Sequence, residues 1–269
     1  MSDGATDAQH EEGETVMKKI VAVMMAVCAL LAVPCIAQAK SKPYLTQKQV
    51  LMKVGQKYTL KLKNAKSAKW STSNKKVVKV SKKGVITAKK SGKAKVTAKY
   101  KGKKYSCQVT VATGKKKTLV VYFSATGTTA GAAKKVKKAV GADMVRIVPR
   151  KAYSSKDLDY TDDSSRTTYE QEHPSVRPAI ATAVKNLKQY DTIYLGYPIW
   201  HGKEPRIIRT FLDKNKLKGK TVIPFCTSGG SGISGSMSGI KKGAKGAKVK
   251  SGEDLTDMSQ SEVTEWVAG

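Results

Sequence analysis

The hydrophobic pattern divides the chain into two parts. Within residues 43–111, short runs of alternating apolar and polar residues are separated by turn residues. In residues 93–100, for example, Ala94, Val96 and Ala98 alternate with lysine and threonine. A period of two with one polar face predicts strands that bury one side. About seven such strands predict an all-β sandwich.

From residue 118 onward, short apolar runs alternate with helical patterns. The predicted strands are residues 118–123, 143–148, 191–198, 220–226 and 247–250. The predicted helices are residues 129–140, 179–187, 204–214, 236–245 and 259–267. Strands that alternate with helices predict an α/β fold, a doubly wound sheet of five parallel strands with helices on both faces.

Three polar loops follow predicted strands of this sheet, at residues 124–129, 197–204 and 227–233. Open parallel sheets bind ligands at the carboxyl ends of their strands. The first loop carries four hydroxyl groups and Gly127, and it leads into a helix N-terminus, which favours an anion. No lysine ends this loop, so it is not an ATP-type phosphate loop. A phosphate monoester fits the pattern; a simple hydroxyl cap of the helix is the alternative.

The loops also carry a family resemblance. "SATGTT", "YLGYPIWHGKEPRIIRTFL", "KTVIPFCTSGGSGISGS" and "VRPAI" resemble the flavodoxin-like oxidoreductase families over residues 117–269. The resemblance implies bound FMN, with its phosphate in the first loop and its isoalloxazine ring between the other two. It implies no catalytic side chain, because the flavin carries the chemistry, and we expect no metal site. The implied cofactor-binding residues are Ser124, Ala125, Thr126, Gly127, Thr128, Thr129, Pro198, Ile199, Trp200, His201, Gly202, Thr227, Ser228, Gly229, Gly230 and Gly232.

Some residues near these loops have two interpretations. Trp200 either contacts the flavin ring or packs in the core. His201 stands where related loops often carry a second tryptophan, so its role stays open. Tyr153 and Tyr160 follow the second strand and either border a substrate pocket or lie on the surface. We assign no function to His173.

Charge is concentrated in the first part of the chain. The net charge is +31, and residues 40–117 hold 25 lysines with no arginine, aspartate or glutamate, whereas residues 118–269 carry a net charge of +9. Such a segment favours anionic partners. The run from "VGQKYTLKL" through "AKWSTSNKKVVKVSKKGVITAKK" to "KKYSCQVTV" resembles a bacterial Ig-like domain of group 2, a spacer or adhesive module. The resemblance implies that Trp70 is a core residue.

The N-terminus resembles an export signal. Lys18 and Lys19 precede an apolar run and the A-x-A sequence of residues 37–39, which predicts a signal peptide at residues 17–39 with Met17 as the true start. An uncleaved membrane anchor is the alternative. We therefore expect an exported, extracellular or envelope-associated protein. Cys107 and Cys226 lie far apart in the sequence, and we expect two buried thiols rather than a disulfide.

The predicted organisation is an extension and signal at residues 1–39, an Ig-like domain at 40–112, a linker at 113–117 and a flavodoxin-like domain at 118–269. The third loop lacks an aromatic residue that could cover the flavin, which favours two-electron reduction of a quinone-like acceptor by a small-molecule donor. An envelope electron-transfer flavoprotein without its own substrate is one alternative, and a wall-binding protein with an empty flavodoxin fold is another. The lysine-rich domain predicts contact with an anionic wall polymer or lipid surface and not with nucleic acid.

Overall fold

The computed structural model describes residues 41–269, of which residues 42–269 form one compact unit. The predicted signal at residues 17–39 lies outside the described residues. Within residues 41–269, no helix is long and apolar enough to cross a membrane. Cys107 and Cys226 are both buried and unpaired, so the prediction of two buried thiols is confirmed.

Residues 41–112, here called the β module, form nine strands. They are β1 (Tyr44–Leu45), β2 (Gln49–Lys53), β3 (Lys57–Thr59), β4 (Leu62–Lys63), β5 (Lys69–Thr72), β6 (Val78–Val80), β7 (Val85–Ala88), β8 (Gly92–Tyr100) and β9 (Lys103–Ala112). Strands β2, β9, β8 and β5 lie in one sheet and β3, β7 and β6 in a second, while β1 pairs with β4. Both larger sheets contribute to one apolar core. As the alternation predicts, Ala94, Val96 and Ala98 of β8 are buried in it.

The rest of the chain is an α/β domain. Its strands are β10 (Thr118–Tyr122), β11 (Asp143–Arg146), β12 (Thr182–Val184), β13 (Thr192–Pro198), β14 (Thr221–Thr227), β15 (Lys248–Val249) and β16 (Glu253–Asp254). Its helices are α1 (Thr128–Ala139), α2 (Arg166–Glu172), α3 (Arg206–Lys214), α4 (Ser234–Gly243) and α5 (Gln260–Ala268). The central sheet is parallel, in the order β11-β10-β13-β14-β15, and β16 also pairs with β14. The predicted parallel sheet is confirmed, with two short strands sharing its fifth position.

Alternation along β10 gives this sheet two apolar faces. Leu119, Val121 and Phe123 face the cluster that contains residues of α3 and α4. Val120 and Tyr122 face the cluster that contains residues of α1 and α5. A strand buried on both faces reads as a continuous apolar run, which is the pattern that residues 118–123 show.

The predicted helix at residues 179–187 is wrong. Thr182–Val184 is the strand β12, and it pairs in parallel with β2 of the β module. The Thr182 hydroxyl donates to the Arg146 carbonyl at 2.9 Å and accepts from the Val148 amide at 2.8 Å, which holds the segment beside β11. Tertiary pairing therefore overrides a weak local helix preference. The helix α2 occurs instead, earlier in the same connection.

The β module and the α/β domain share a sheet and also a core. Leu51 of β2 is fully buried in the cluster that covers one face of the parallel sheet, whereas its neighbours Val50 and Met52 belong to the module's own core. The Arg150 guanidinium donates to the carbonyls of Leu45 and Thr46 at 3.1 and 2.7 Å. The β module thus covers part of the face from which the predicted helix is absent.

This shared core predicts that Leu51→Ala destabilises the α/β domain although Leu51 lies in the β module. Loss of a buried leucine costs about 2–5 kcal/mol. We expect one unfolding transition for the protein beginning at residue 40, shifted to lower denaturant, when tryptophan fluorescence and far-UV circular dichroism are followed together.

Val50→Ala is the matched control, since Val50 belongs to the module's core and should also shift a single transition. Two separate transitions, of which Leu51→Ala moves only one, would contradict the shared core.

Candidate functional site

Three loops meet at one edge of the parallel sheet. They leave the carboxyl ends of β10, β13 and β14, which are neighbours in the sheet. Together with the connection after β11 they enclose a cleft of about 430 Å³. This volume lies in the range of roughly 300–1,000 Å³ that is typical of small-molecule sites.

The first loop presents an uncapped helix N-terminus. The Ser124 hydroxyl is buried and accepts from the Gly127 amide at 3.0 Å, so it shapes the turn from inside. Gly127 has φ +120°, a conformation that L side chains rarely adopt, and it directly precedes α1. No side chain caps α1, and no acidic residue occupies its first turn. The free amides and the helix dipole therefore favour an anion at this position.

The threonine hydroxyls of this loop make two different contacts. Thr126 and Thr128 are exposed toward the cleft, and their hydroxyl oxygens lie 3.5 Å apart. Thr129 is buried, and its hydroxyl lies 2.7 Å from the Thr227 hydroxyl of the third loop. Thr126 and Thr128 are thus free to bind one anion together, whereas Thr129 joins two loops.

The second loop is a tight turn. The backbone amides and carbonyls of Trp200 and Lys203 exchange hydrogen bonds of 2.9 and 3.0 Å. Between them His201 and Gly202 have φ values of 48° and 70°, the left-handed pair of a type I′ turn. Histidine is among the residues enriched in this region, so His201 is compatible with the turn. The His201 side chain is exposed at the cleft.

Trp200 belongs to an aromatic cluster as well as to the cleft. Its ring centroid lies 5.4 Å from that of Phe123 and 5.0 Å from that of Tyr153, both in edge-on geometry. Trp200 therefore packs against the core and also lines the cleft, so each of the two interpretations from the sequence describes part of its surroundings. The cluster fixes the indole orientation at the cleft wall.

Tyr153 is partly buried and supports this wall. Its hydroxyl donates to the Glu170 carboxylate at 2.8 Å, and the Arg166 guanidinium lies 3.9 Å from its ring centroid. Burial, with the neighbouring Glu170 carboxylate, raises the pKa of Tyr153 well above its usual range. Tyr153 therefore stays a neutral hydrogen-bond donor at physiological pH.

The connection after β11 supplies a fourth wall that the loop motifs do not predict. Leu158, Tyr160 and Thr167 line the cleft, and Tyr160 is 79% exposed. The Asp159 carboxylate accepts hydrogen bonds from the Thr161 amide and hydroxyl, and the Asp162 carboxylate accepts them from the Ser164 amide and hydroxyl. These bonds fix the irregular backbone around Tyr160. The Asp-x-Thr and Asp-x-Ser spacings are the sequence signal for such turns.

Buried charges attach this wall to the helix that follows the second loop. Arg206 of α3 donates to the carbonyls of Glu170 and Gln171 at 2.9 and 2.7 Å, at the end of α2. Glu204 is buried and lies 3.0 Å from the Arg209 guanidinium. Burial raises the pKa of Glu204, and Arg209 opposes that rise.

The third loop is organised around the Ser228 hydroxyl. It accepts from the amides of Gly230 and Gly232, each at 3.1 Å, and donates to the Asp254 carboxylate at 2.5 Å. Although burial works to raise it, hydrogen bonds from Ser228 and Thr256 lower the pKa of Asp254. Gly230 and Gly232 thus point their amides at Ser228, and Gly229 is the loop glycine that lines the cleft.

Most of the sequence-predicted site residues come together at the cleft. Those that line it are Ala125, Thr126, Thr128, Thr129, Pro198, Ile199, Trp200, His201, Thr227, Ser228 and Gly229. The others shape the turns beside it, and they are Ser124, Gly127, Gly202, Gly230 and Gly232. His173 stacks on Tyr169 with ring centroids 4.0 Å apart, away from the residues that line the cleft.

Comparison with known proteins identifies the family of this domain. A crystal structure described as that of a flavoprotein from Bacteroides eggerthii DSM 20697 is 45% identical over 56% of this chain and 96% of its own, with a TM-score of 0.55. A similarly described structure from Bacteroides uniformis ATCC 8492 is 44% identical over 57% of this chain and 98% of its own, also with a TM-score of 0.55.

A third structure, a flavoprotein in complex with FMN from Lactobacillus acidophilus NCFM, is 26% identical over 56% of this chain and 99% of its own, with a TM-score of 0.46. No curated protein sequence matches the chain. The family model described as Flavodoxin matches residues 117–269, which is more than half of the sequence, and the chain therefore belongs to the flavodoxin family.

Proposed function

We propose that the protein is an FMN-dependent oxidoreductase that reduces a quinone-like acceptor by two electrons. FMN, predicted from the sequence, is confirmed as the cofactor by membership of the flavodoxin family. The observation that carries the proposed site is the uncapped N-terminus of α1, which opens with two exposed hydroxyls into a cleft walled by Trp200.

The first loop fits a phosphate monoester. Thr126 and Thr128 supply two hydroxyl donors, and the first amides of α1 supply backbone donors without a competing acid. Since the hydroxyls and amides are neutral, the positive potential at this loop comes from the helix dipole and from the Arg146 guanidinium. The nearby Arg146 guanidinium donates to the Ser124 carbonyl at 2.7 Å and so stabilises the loop.

The other loops fit a flat ring. Trp200 and Ile199 offer apolar contact to the ring, and the Gly229 backbone also lines the cleft. The third loop, residues 227–233, contains no aromatic residue. A ring bound here keeps one face accessible to a second planar molecule, with the exposed Tyr160 at the rim.

Two-electron chemistry needs a donor and an acceptor that use this open face. The bound flavin would accept hydride from the donor and pass two electrons to the acceptor. With a nicotinamide donor, NAD(P)H, a proton and a quinone give NAD(P)⁺ and a hydroquinone. The protein's own part is to orient both molecules against the ring and to keep the cleft walls rigid. The net charge of +9 over residues 118–269 suits anionic donors such as a nicotinamide dinucleotide.

The remaining features of the chain complete the proposal. Two sheets around one core support a bacterial Ig-like domain of group 2 at residues 40–112. The signal pattern at residues 17–39 supports export to the cell envelope. Strand β9 ends at Ala112 and β10 begins at Thr118, on either side of the proposed linker.

The phosphate assignment predicts that Thr126→Val combined with Thr128→Val weakens FMN binding. Each hydrogen bond to a charged group contributes about 1.5–3 kcal/mol, so the Kd should rise by about two orders of magnitude or more. Fluorescence titration of the apoprotein with FMN measures it. Thr264→Val, at an exposed position on α5, is the control. An unchanged Kd in the double variant would contradict the assignment of the FMN phosphate to this loop.

The ring assignment predicts that FMN quenches Trp200. A variant with Trp70→Phe and Trp266→Phe retains Trp200 as its single tryptophan and should lose most of its fluorescence on saturation with FMN. Trp200→Phe, which retains the other two tryptophans, should be quenched much less. Equal quenching in both variants would show that Trp200 is not specially close to the flavin.

The enzyme proposal predicts steady-state oxidation of NADH or NADPH by the FMN-loaded protein with menadione as acceptor, followed at the nicotinamide absorption band. Tyr160→Ala should raise the KM for menadione without changing the Kd for FMN, because Tyr160 contacts the acceptor at the rim. Tyr160→Phe should retain the wild-type KM.

Tyr169→Ala is the matched control, since Tyr169 is also exposed but lies away from the cleft. Turnover no faster than that of free FMN would favour the electron-transfer alternative. Purified protein that binds no FMN at all would favour the empty fold.

A further inference from the structure

A second cleft lies in the β module, remote from any role in flavin binding. It has a volume of about 420 Å³ and is formed by the chain around β4, the loop that precedes β5 and the turn between β6 and β7. Trp70 is half-buried at this cleft. We call it the Trp70 groove. Five exposed lysines line it, namely Lys61, Lys63, Lys66, Lys82 and Lys83.

The groove has two walls that carry lysines: the chain around β4 with Lys61, Lys63 and Lys66, and the β6–β7 turn with Lys82 and Lys83. The fold holds both walls against the indole. Gly84, with φ +78°, follows Lys82 and Lys83 in the turn, and its carbonyl accepts from the Leu60 amide at 3.0 Å. A Cβ atom on Gly84 would lie 2.8 Å from the Trp70 ring and 2.5 Å from the Leu60 carbonyl oxygen. Only glycine therefore allows the turn to lie directly on the indole and join both walls.

The positive charge of the Trp70 groove has no local compensation. Residues 40–117 contain no aspartate and no glutamate. Among residues 41–269, no salt bridge involves any of the five groove lysines. Five like charges around one cleft raise its potential and attract an anion that carries several charges. The sequence-based interpretation of Trp70 as a pure core residue accounts for its buried part and leaves its presence at the cleft unexplained.

We propose that the Trp70 groove binds a strand of an anionic polysaccharide. A sugar ring would lie against the accessible part of the indole, which is apolar, while the acidic groups of the polymer would contact the lysines on both walls. We choose a polyanion as the ligand because the cleft is lined by lysines and has no acidic residue to compensate them. This proposal is independent of the flavin site, so either can fail without the other.

Two other polyanions fit the groove less well. Single-stranded nucleic acid is held by several aromatic platforms along a basic track, whereas this cleft has one aromatic ring. A lipid surface is contacted by a broad basic face and gains nothing from a concave cleft with a recessed indole. The sugar ring is the component that uses the indole.

The test measures binding of the protein from residue 40 to 269 to polygalacturonate by isothermal titration calorimetry. Fully methyl-esterified polygalacturonate provides the sugar without the charge, and polyphosphate provides the charge without the sugar. Oligo-deoxythymidine and vesicles of phosphatidylglycerol test the other two classes. We expect polygalacturonate to bind best and its affinity to fall steeply as salt shortens the Debye length from about 8 to about 3 Å.

The deciding variant changes all five groove lysines to glutamine. Its matched control changes five exposed lysines elsewhere in the β module, Lys93, Lys95, Lys99, Lys101 and Lys104, and so removes the same charge. We expect the groove variant to bind about tenfold or more weakly than the control variant, because local contacts add to the long-range potential. Trp70 fluorescence, observed in a Trp200→Phe/Trp266→Phe background, should change with polygalacturonate and not with polyphosphate.

An equal loss of affinity for polygalacturonate in the two lysine variants would contradict binding in the groove, because it would show that only the overall charge of the module matters. Absence of binding to polygalacturonate, or tighter binding to oligo-deoxythymidine or vesicles, would overturn the polysaccharide. A Trp70 signal that polyphosphate reproduces would overturn the contact with the sugar ring.

Discussion

The parallel register of β10, β13 and β14 is the constraint on which the flavin site depends. Tyr122, Gly196 and Phe225 lie side by side across these strands, so their carboxyl ends reach the sheet edge together. A Cβ atom at Gly196 would lie 2.2 Å from the Phe225 ring, so glycine is required where that ring crosses the neighbouring strand. Because the loops leave the strands at the same edge of the sheet, the Thr129 hydroxyl of the first loop contacts that of Thr227, and the second loop places Trp200 beside Phe123.

The β module contributes to the same scaffold. Its strand β2 pairs with β12 and inserts Leu51 into the core beneath the parallel sheet. The Flavodoxin family model matches residues 117–269, so the β module lies outside the part of the chain that the family describes. In this protein the connection from β11 to β13 has two structural roles. Its first part forms the Tyr160 wall of the cleft, and its last part adds a strand to the module's sheet.

The sequence predicts the individual strands of this structure better than it predicts the contacts between distant parts of the chain. Period-two alternation in β8 and the continuous apolar run of β10 identify strands because burial on one or both faces leaves a direct pattern. Residues 179–187 do not reveal β12, because its partner strand lies about 130 positions earlier and no local signal encodes that pairing. Likewise, the loop motifs predict most of the cleft, and the sequence offers Tyr160 as a residue of its border or of the surface. Leu158 and Thr167 reach the cleft through the Glu170 and Arg206 contacts, which depend on tertiary structure.

A crystal structure of the protein from residue 40 to 269 with FMN tests the central claim most directly. The account predicts a phosphate within hydrogen-bond distance of the Thr126 and Thr128 hydroxyls and of the first amides of α1. It places the isoalloxazine ring between the second and third loops, with one face against Trp200 and the other face open. A phosphate bound away from the N-terminus of α1, or a ring outside the cleft formed by the three loops, would contradict it.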